Sequence, residues 1–177
     1  MSKVRVLDKA FETSITKDEI SNRIKELSKD INTAYADRNP LFLAILNGAF
    51  IFAADLYREI TIPSEISFVK MASYEGTAST GVVNELIGLN QDISGRHIII
   101  VEDIVDTGLT MKMMVDRLMA FHPASVSICA LLQKPSKLQT DIKVDYVAFE
   151  IPDRFVIGYG LDYDQQGRNL KEIFSII

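Results

Sequence analysis

The stretch His97-Ile98-Ile99-Ile100-Val101-Glu102-Asp103-Ile104-Val105-Asp106-Thr107-Gly108-Leu109-Thr110 sets an aliphatic run directly against a polar turn. The run His97–Val101 has the continuous apolar character of a strand covered on both faces. Beyond the turn, Met111, Met114, Val115, Leu118 and Met119 recur at helical spacing and predict a helix over 107–120, which Pro123 stops. The turn itself has the chemistry of an anion site. A helix N-terminus offers unpaired backbone N–H groups and a positive dipole end, both suited to phosphate. Gly108 allows the backbone to approach a ligand closely. Thr107 and Thr110 add hydroxyl donors. Glu102 and Asp103, at the strand end, suit sugar hydroxyls or a Mg²⁺ ion.

Upstream, Thr16 and Glu19 have capping-box spacing. Ile20, Ile24, Leu27, Ile31 and Tyr35 continue as one apolar stripe, and Asn39-Pro40 closes that helical region. Leu41–Leu46 reads as a buried strand, Asn47-Gly48 as a turn and 49–58 as a helix. Residues 65–73 read as a strand, with Ile66, Phe68, Val69 and Met71 as its apolar positions. The small, polar segment 74–81 reads as a mobile loop and 82–89 as a returning strand. Downstream, 125–132 and 146–149 are strands. The alternation predicts an α/β fold, a mostly parallel central sheet flanked by helices, in a single domain spanning 1–177. Ligands in such sheets bind outside the carboxyl ends of the strands near a switch in strand order. The loops of interest therefore follow Leu46, Val101 and Leu132.

The chain has 177 residues, of which 47% are hydrophobic, enough to fill one core. A net charge of −5 disfavours sequence-independent nucleic-acid binding. The single cysteine, Cys129, lies in an apolar run and reads as a buried thiol; it can form neither an internal disulfide nor a Cys/His metal cluster. No signal-like or membrane-length apolar segment is evident, so a soluble cytoplasmic protein is expected. Neither the Walker phosphate loop nor a complete Gly-x-Gly-x-x-Gly is present; Gly158-Tyr159-Gly160 begins the latter, but Tyr163 takes its third glycine position.

The 102–110 turn resembles the phosphoribosyl-pyrophosphate motif of type I phosphoribosyltransferases. Phe149-Glu150-Ile151-Pro152-Asp153-Arg154-Phe155-Val156-Ile157-Gly158-Tyr159-Gly160-Leu161-Asp162-Tyr163 resembles the purine-pocket segment of hypoxanthine and hypoxanthine-guanine phosphoribosyltransferases. Leu131-Leu132-Gln133-Lys134-Pro135 is similar to the lysine-bearing strand end of that family. The resemblance runs in consistent order over roughly residues 40–170. It implies a type I fold with a small hood and a mobile lid, and transfer of a 5-phosphoribosyl group from phosphoribosyl pyrophosphate to a 6-oxopurine. Hypoxanthine, and also guanine, would be the base, in purine salvage.

By the same resemblance Asp106 is the general acid/base at the purine N7. Thr107, Gly108, Leu109 and Thr110 hold the 5′-phosphate, and Glu102 and Asp103 face the ribose hydroxyls and Mg²⁺. Asp162, beside the base, meets a second Mg²⁺. Lys134 donates to the purine O6, Phe155 stacks on the ring, Val156 offers backbone groups and Ile104 lines the base site. Arg168, Asn47 and Gly48 belong to the pyrophosphate side, and Ser73-Tyr74 begins the lid. Leu46-Asn47-Gly48-Ala49 departs from the Leu-Lys-Gly-Gly common in the family, which removes a positive charge at Asn47 and a flexible glycine at Ala49. In the family the peptide after this leucine is often cis. Expected partners are the two substrates and further copies of the chain, as a homodimer or homotetramer, with no nucleic acid or membrane. A xanthine- or guanine-preferring relative, and a regulator that senses phosphoribosyl pyrophosphate and binds nucleic acid, are the alternatives.

Overall fold

A computed structural model of the chain describes residues 2–74 and 83–177, with side chains described outside 72–87. In chain order the elements are β1 (Lys3–Val6), β2 (Lys9–Ile15), α1 (Lys17–Ala34), β3 (Leu41–Ile45), α2 (Phe50–Arg58), β4 (Glu65–Tyr74), β5 (Val83–Ile87) and β6 (His97–Val105). There follow α3 (Leu109–Met119), β7 (Ser125–Gln133), a 3-10 turn (Pro135–Lys137), β8 (Tyr146–Glu150), β9 (Val156–Ile157) and β10 (Ile173–Ile176).

Six strands form the central sheet in the order β5-β4-β3-β6-β7-β8. Every pairing is parallel except that of β4 with β5. The chain leaves β3 toward β4 on one side, then returns through β6 and departs toward β7 on the other. The switch in strand order thus falls between β3 and β6, whose carboxyl-end loops lie side by side.

Period-two alternation divides β3 between two cores. Phe42 and Ala44 join α1 and α2 on one face, while Leu41, Leu43 and Ile45 join Met111, Met114 and Leu118 of α3 on the other. The stripe Ile20, Ile24, Leu27, Ile31 and Tyr35 is buried as expected. Thr16 caps α1 with the reciprocal Glu19 contact: Glu19 N–H donates to Thr16 Oγ1 at 3.3 Å, and Thr16 N–H to Glu19 Oε2 at 2.8 Å. Cys129 is fully buried, and burial pushes its thiol well above the ordinary range.

Several expectations change. The helix α1 ends at Ala34, with turns leading to Asn39 at φ 42° before Pro40. Phe68 is 43% exposed, because adjacent strand residues face opposite ways and Val69 takes the inward position. The strand β6 runs on to Val105, so Glu102 and Asp103 sit within it; pairing continues at Glu102 with Ala130 and at Ile104 with Leu132. Consequently α3 starts at Leu109, two residues later than its spacing predicts. Met119, assigned to the apolar side of that helix, is 50% exposed in its last turn. Tyr74, expected to open the 74–81 loop, is instead the last residue of β4, whose pairing with β5 extends to it; the side chains of Ser73 and Tyr74 and the rest of that expected lid loop lie outside the described residues.

The hood is a four-stranded antiparallel sheet, β1-β2-β10-β9. Its own core is Phe11, Ile157 and Phe174, while Ile15, Val156 and Ile173 belong to the α1–α2 core of the main sheet. Among the described residues no helix is long and apolar enough to cross a membrane.

Candidate active site

The loop after β3 lies in the floor of the site. The Leu46–Asn47 peptide is cis, and Leu46 N–H donates to Val69 O at 2.8 Å. Gly48 is confined from two sides. A Cβ there would stand 1.5 Å from Asp103 Oδ2, and a Cβ on Gly160 would stand 2.0 Å from the Gly48 carbonyl oxygen. Only a bare backbone lets β6, this loop and the 158–160 turn converge. Ala49 is fully buried at the start of α2.

At the end of β6 the two acids fold onto the backbone. Asp103 N–H donates to Glu102 Oε1 at 3.1 Å, and Ile104 N–H to Asp103 Oδ1 at 2.7 Å. Burial, and then the neighbouring Asp103, push the Glu102 carboxyl well above the ordinary carboxylate range. Past Val105, Gly108 takes a left-handed conformation at φ 80° and caps α3 without a side-chain hydrogen bond. Leu109 N–H donates to Thr107 Oγ1 at 3.4 Å, and the N–H groups that follow it in the first turn of α3 have no intrahelical partner, which suits an anion beside Thr107 and Thr110. Thr107 is tied down through its carbonyl, which accepts from Gln139 N–H at 2.9 Å.

The end of β7 carries the cations. Lys134 is buried, although it is a lysine, because its ammonium has carboxylate partners. Its Nζ lies 3.1 Å from Asp153 Oδ1 and 3.5 Å from Asp106 Oδ2. Lys137 joins them, 3.2 Å from Asp106 Oδ1 and 3.4 Å from Asp153 Oδ1. Two lysines and two aspartates thus form one cluster. The lysines hold the Asp153 carboxyl below its ordinary range, Lys134 most strongly.

The 155–168 segment forms the remaining wall. Phe155 is 45% exposed, and its ring is propped against Phe11 at 6.3 Å and edge-on to Tyr163 at 5.8 Å. Val156 is buried in β9. Asp162 pairs with Arg168 at 2.8 Å and accepts from Gln165 N–H at 2.8 Å. Arg168 also donates to Gly160 O at 2.8 Å, which ties this turn back to Gly48. Ile104 is half-buried on β6.

The residues drawn from sequence therefore fall into two groups that meet. Asn47, Gly48, Glu102, Asp103 and 106–110 surround the switch point. Lys134 reaches across to Asp106 from the end of β7. Arg168 and Asp162 engage each other, with Gly160 as their link to the floor. Sequence reading missed Lys137, Asp153 and Gly160. A lysine three residues beyond Lys134 with proline between them was the one signal for Lys137.

A family description for the phosphoribosyl transferase domain matches residues 13–164. The chain is 42% identical over 169 residues to the hypoxanthine-guanine phosphoribosyltransferase of Mycobacterium avium, covering 92% of this chain and 83% of that one. It is 41% identical to the hypoxanthine phosphoribosyltransferase of Haemophilus influenzae, covering 92% and 93%. A crystal structure of a hypoxanthine-guanine phosphoribosyltransferase from Bacillus anthracis superposes with a TM-score of 0.84 at 34% identity, covering 94% of this chain and 96% of the other. With the domain matched over most of its length and relatives above 40% identity aligned almost end to end, the chain belongs to the phosphoribosyltransferase family.

Proposed function

We propose that the chain transfers the 5-phosphoribosyl group of phosphoribosyl pyrophosphate to hypoxanthine, and also to guanine, releasing pyrophosphate and forming the purine nucleotide. One observation carries the reading: the Lys134 ammonium lies 3.5 Å from the Asp106 carboxylate, beside the anion cradle. The O6 and N7 atoms of a 6-oxopurine sit side by side on one edge of the ring. A donor-only lysine next to a carboxylate is complementary to that edge when N7 carries its proton. Adenine presents an amino group where O6 would be, which Lys134 cannot accept from.

In this reading the α3 N-terminus with Thr107, Gly108, Leu109 and Thr110 holds the 5′-phosphate. Asn47, Gly48 and Arg168 face the pyrophosphate, and Glu102 and Asp103 face the ribose hydroxyls. Phe155 stacks on the base, Val156 meets its edge through backbone groups and Ile104 lines the site. As N9 bonds to C1′ and the C1′–pyrophosphate bond breaks, Asp106 takes the proton from N7. Charge develops on the ribose as in other glycosyl transfers, so the alignment of the two substrates is the main catalytic contribution. Asp103 and Asp162 offer hard carboxylate oxygens, the donor type that Mg²⁺ takes in ones and twos alongside substrate phosphates. The cation would neutralise the departing pyrophosphate. Ser73 and Tyr74 would begin a lid. The protein would act in the cytoplasm as a homodimer or homotetramer.

The test incubates the protein with phosphoribosyl pyrophosphate, Mg²⁺ and each purine base in turn and follows nucleotide formation. Hypoxanthine and guanine should turn over and adenine should not. Binding of phosphoribosyl pyrophosphate without turnover of any 6-oxopurine would sink the reading. Asp106→Asn should keep phosphoribosyl pyrophosphate affinity and lose about 10²-fold or more in kcat, the scale of general acid–base catalysis.

A further inference from the structure

Two lysines converge on Asp106, and the second is placed there by local geometry. Pro135 opens the 3-10 turn, and Lys137 N–H donates to Lys134 O at 3.0 Å to close it. Lys134 is the N-cap of that turn and Lys137 its last residue, and the turn brings both ammoniums to Asp106 and Asp153. Their environments differ. The Lys134 side chain is 7% exposed and sits nearer Asp153 than Asp106. The Lys137 side chain is 35% exposed, and its Nζ straddles the Asp106 carboxylate, 3.2 Å from Oδ1 and 3.3 Å from Oδ2. It donates a hydrogen bond to Oδ2. Oδ1 is buried, yet it makes no hydrogen bond with any described residue.

We infer that Lys137 is a positioning residue: it bridges both oxygens of the Asp106 carboxylate and so fixes its orientation toward the purine proton, and it keeps that hold when Lys134 turns to the base. This rests on the function proposed above. Two cations and two anions balance in the free cluster. Once Lys134 spends its donors on O6, Asp106 would be left with a partly buried charge and no fixed cation, which is costly unless another one stays. Lys137 is the cation that stays, and Asp153 keeps both ammoniums within reach. Hydrogen bonding to Asp106 also holds Lys137 above its ordinary value, so it remains charged across the working range.

Lys137→Met removes the charge and keeps the aliphatic stem. With both substrates saturating, kcat should fall about tenfold, a fraction of the ~10²–10⁴ that acid–base catalysis contributes, while KM for phosphoribosyl pyrophosphate stays within about twofold. Lys137→Arg, still a cation, should recover most of the rate. In an Asp106→Asn background, Lys137→Met should cost nothing further, because its effect runs through that carboxylate. Thermal melts compare the folding of each variant, and Lys137→Gln repeats the test if Lys137→Met is poorly folded. An unchanged kcat in Lys137→Met, a rise in KM for phosphoribosyl pyrophosphate alone, or losses that multiply in the double variant would each overturn the inference. A wild type that turns over no 6-oxopurine would overturn the functional reading together with it; an active wild type with an unaffected Lys137→Met would overturn this inference alone.

Discussion

Gly48 shows how much can hang on a missing side chain. A Cβ at this position would lie 1.5 Å from Asp103 Oδ2 and 2.5 Å from Asp103 Cγ. Gly48→Ala must therefore push Asp103 off its Ile104 hydrogen bond or displace the loop from Gly160. KM for phosphoribosyl pyrophosphate should rise about tenfold or more, equivalent to ~1.4 kcal/mol, with base affinity much less affected; substrate titrations against each partner separate the two. Sequence marks Gly48 as a turn glycine, but its neighbour Asp103 is 55 positions away and becomes visible only once β3 and β6 pair. The same holds for the charge cluster. Lys134 and Asp106 are legible because each sits in a motif. Lys137 and Asp153 are ordinary surface charges in the sequence, and only the folded chain brings Lys137 to Asp106 and Asp153 to the two lysines.

At the scale of elements, the first helix is the best-read part of the chain. Thr16 and Glu19 cap it reciprocally, and its five stripe residues are buried. Thr16→Ala should cost about 1 kcal/mol and lower Tm without altering kcat, because the cap lies away from the switch point; a melt and a turnover assay on one sample check both halves. Periodicity is reliable here because 18 residues sample the helical repeat five times. It fails at ends. Glu102 and Asp103 look like loop residues because they are charged, yet parallel pairing with β7 holds them in strand geometry as far as Val105. That extension moves the acids to the rim and delays α3 to Leu109, so that Gly108 is the residue at the helix mouth. Phe68 is misread for a related reason: in an apolar pair on one strand, composition does not say which member faces in.

For the whole molecule, the central sheet was legible and the hood was not. β1 and β9 span four and two residues, too short to show any period, and β2 turns Thr13 inward among apolar neighbours, where its hydroxyl donates to Glu172 at 3.0 Å. Only the family resemblance pointed to a hood. The hood nevertheless shapes the site, because Phe11 of β2 props both Phe155 and Tyr163. Phe11→Leu should cost about 1 kcal/mol of stability and raise KM for the purine while leaving kcat nearly unchanged. Equal losses with phosphoribosyl pyrophosphate and base would mean that the hood supports the entire site.

The register of that sheet also fixes an order in time. β2 leaves the ribosome well before its partner β10; Phe11 pairs with Ile176 and Ile15 with Ile173. During synthesis the parallel strands can assemble while β2 has β1 beside it but still lacks β10. The wall that carries Phe155 is closed off only when β10 arrives. A nascent chain should thus gain its grip on the sugar phosphate before its grip on the base, with the latter awaiting the longest-range pairing in the fold.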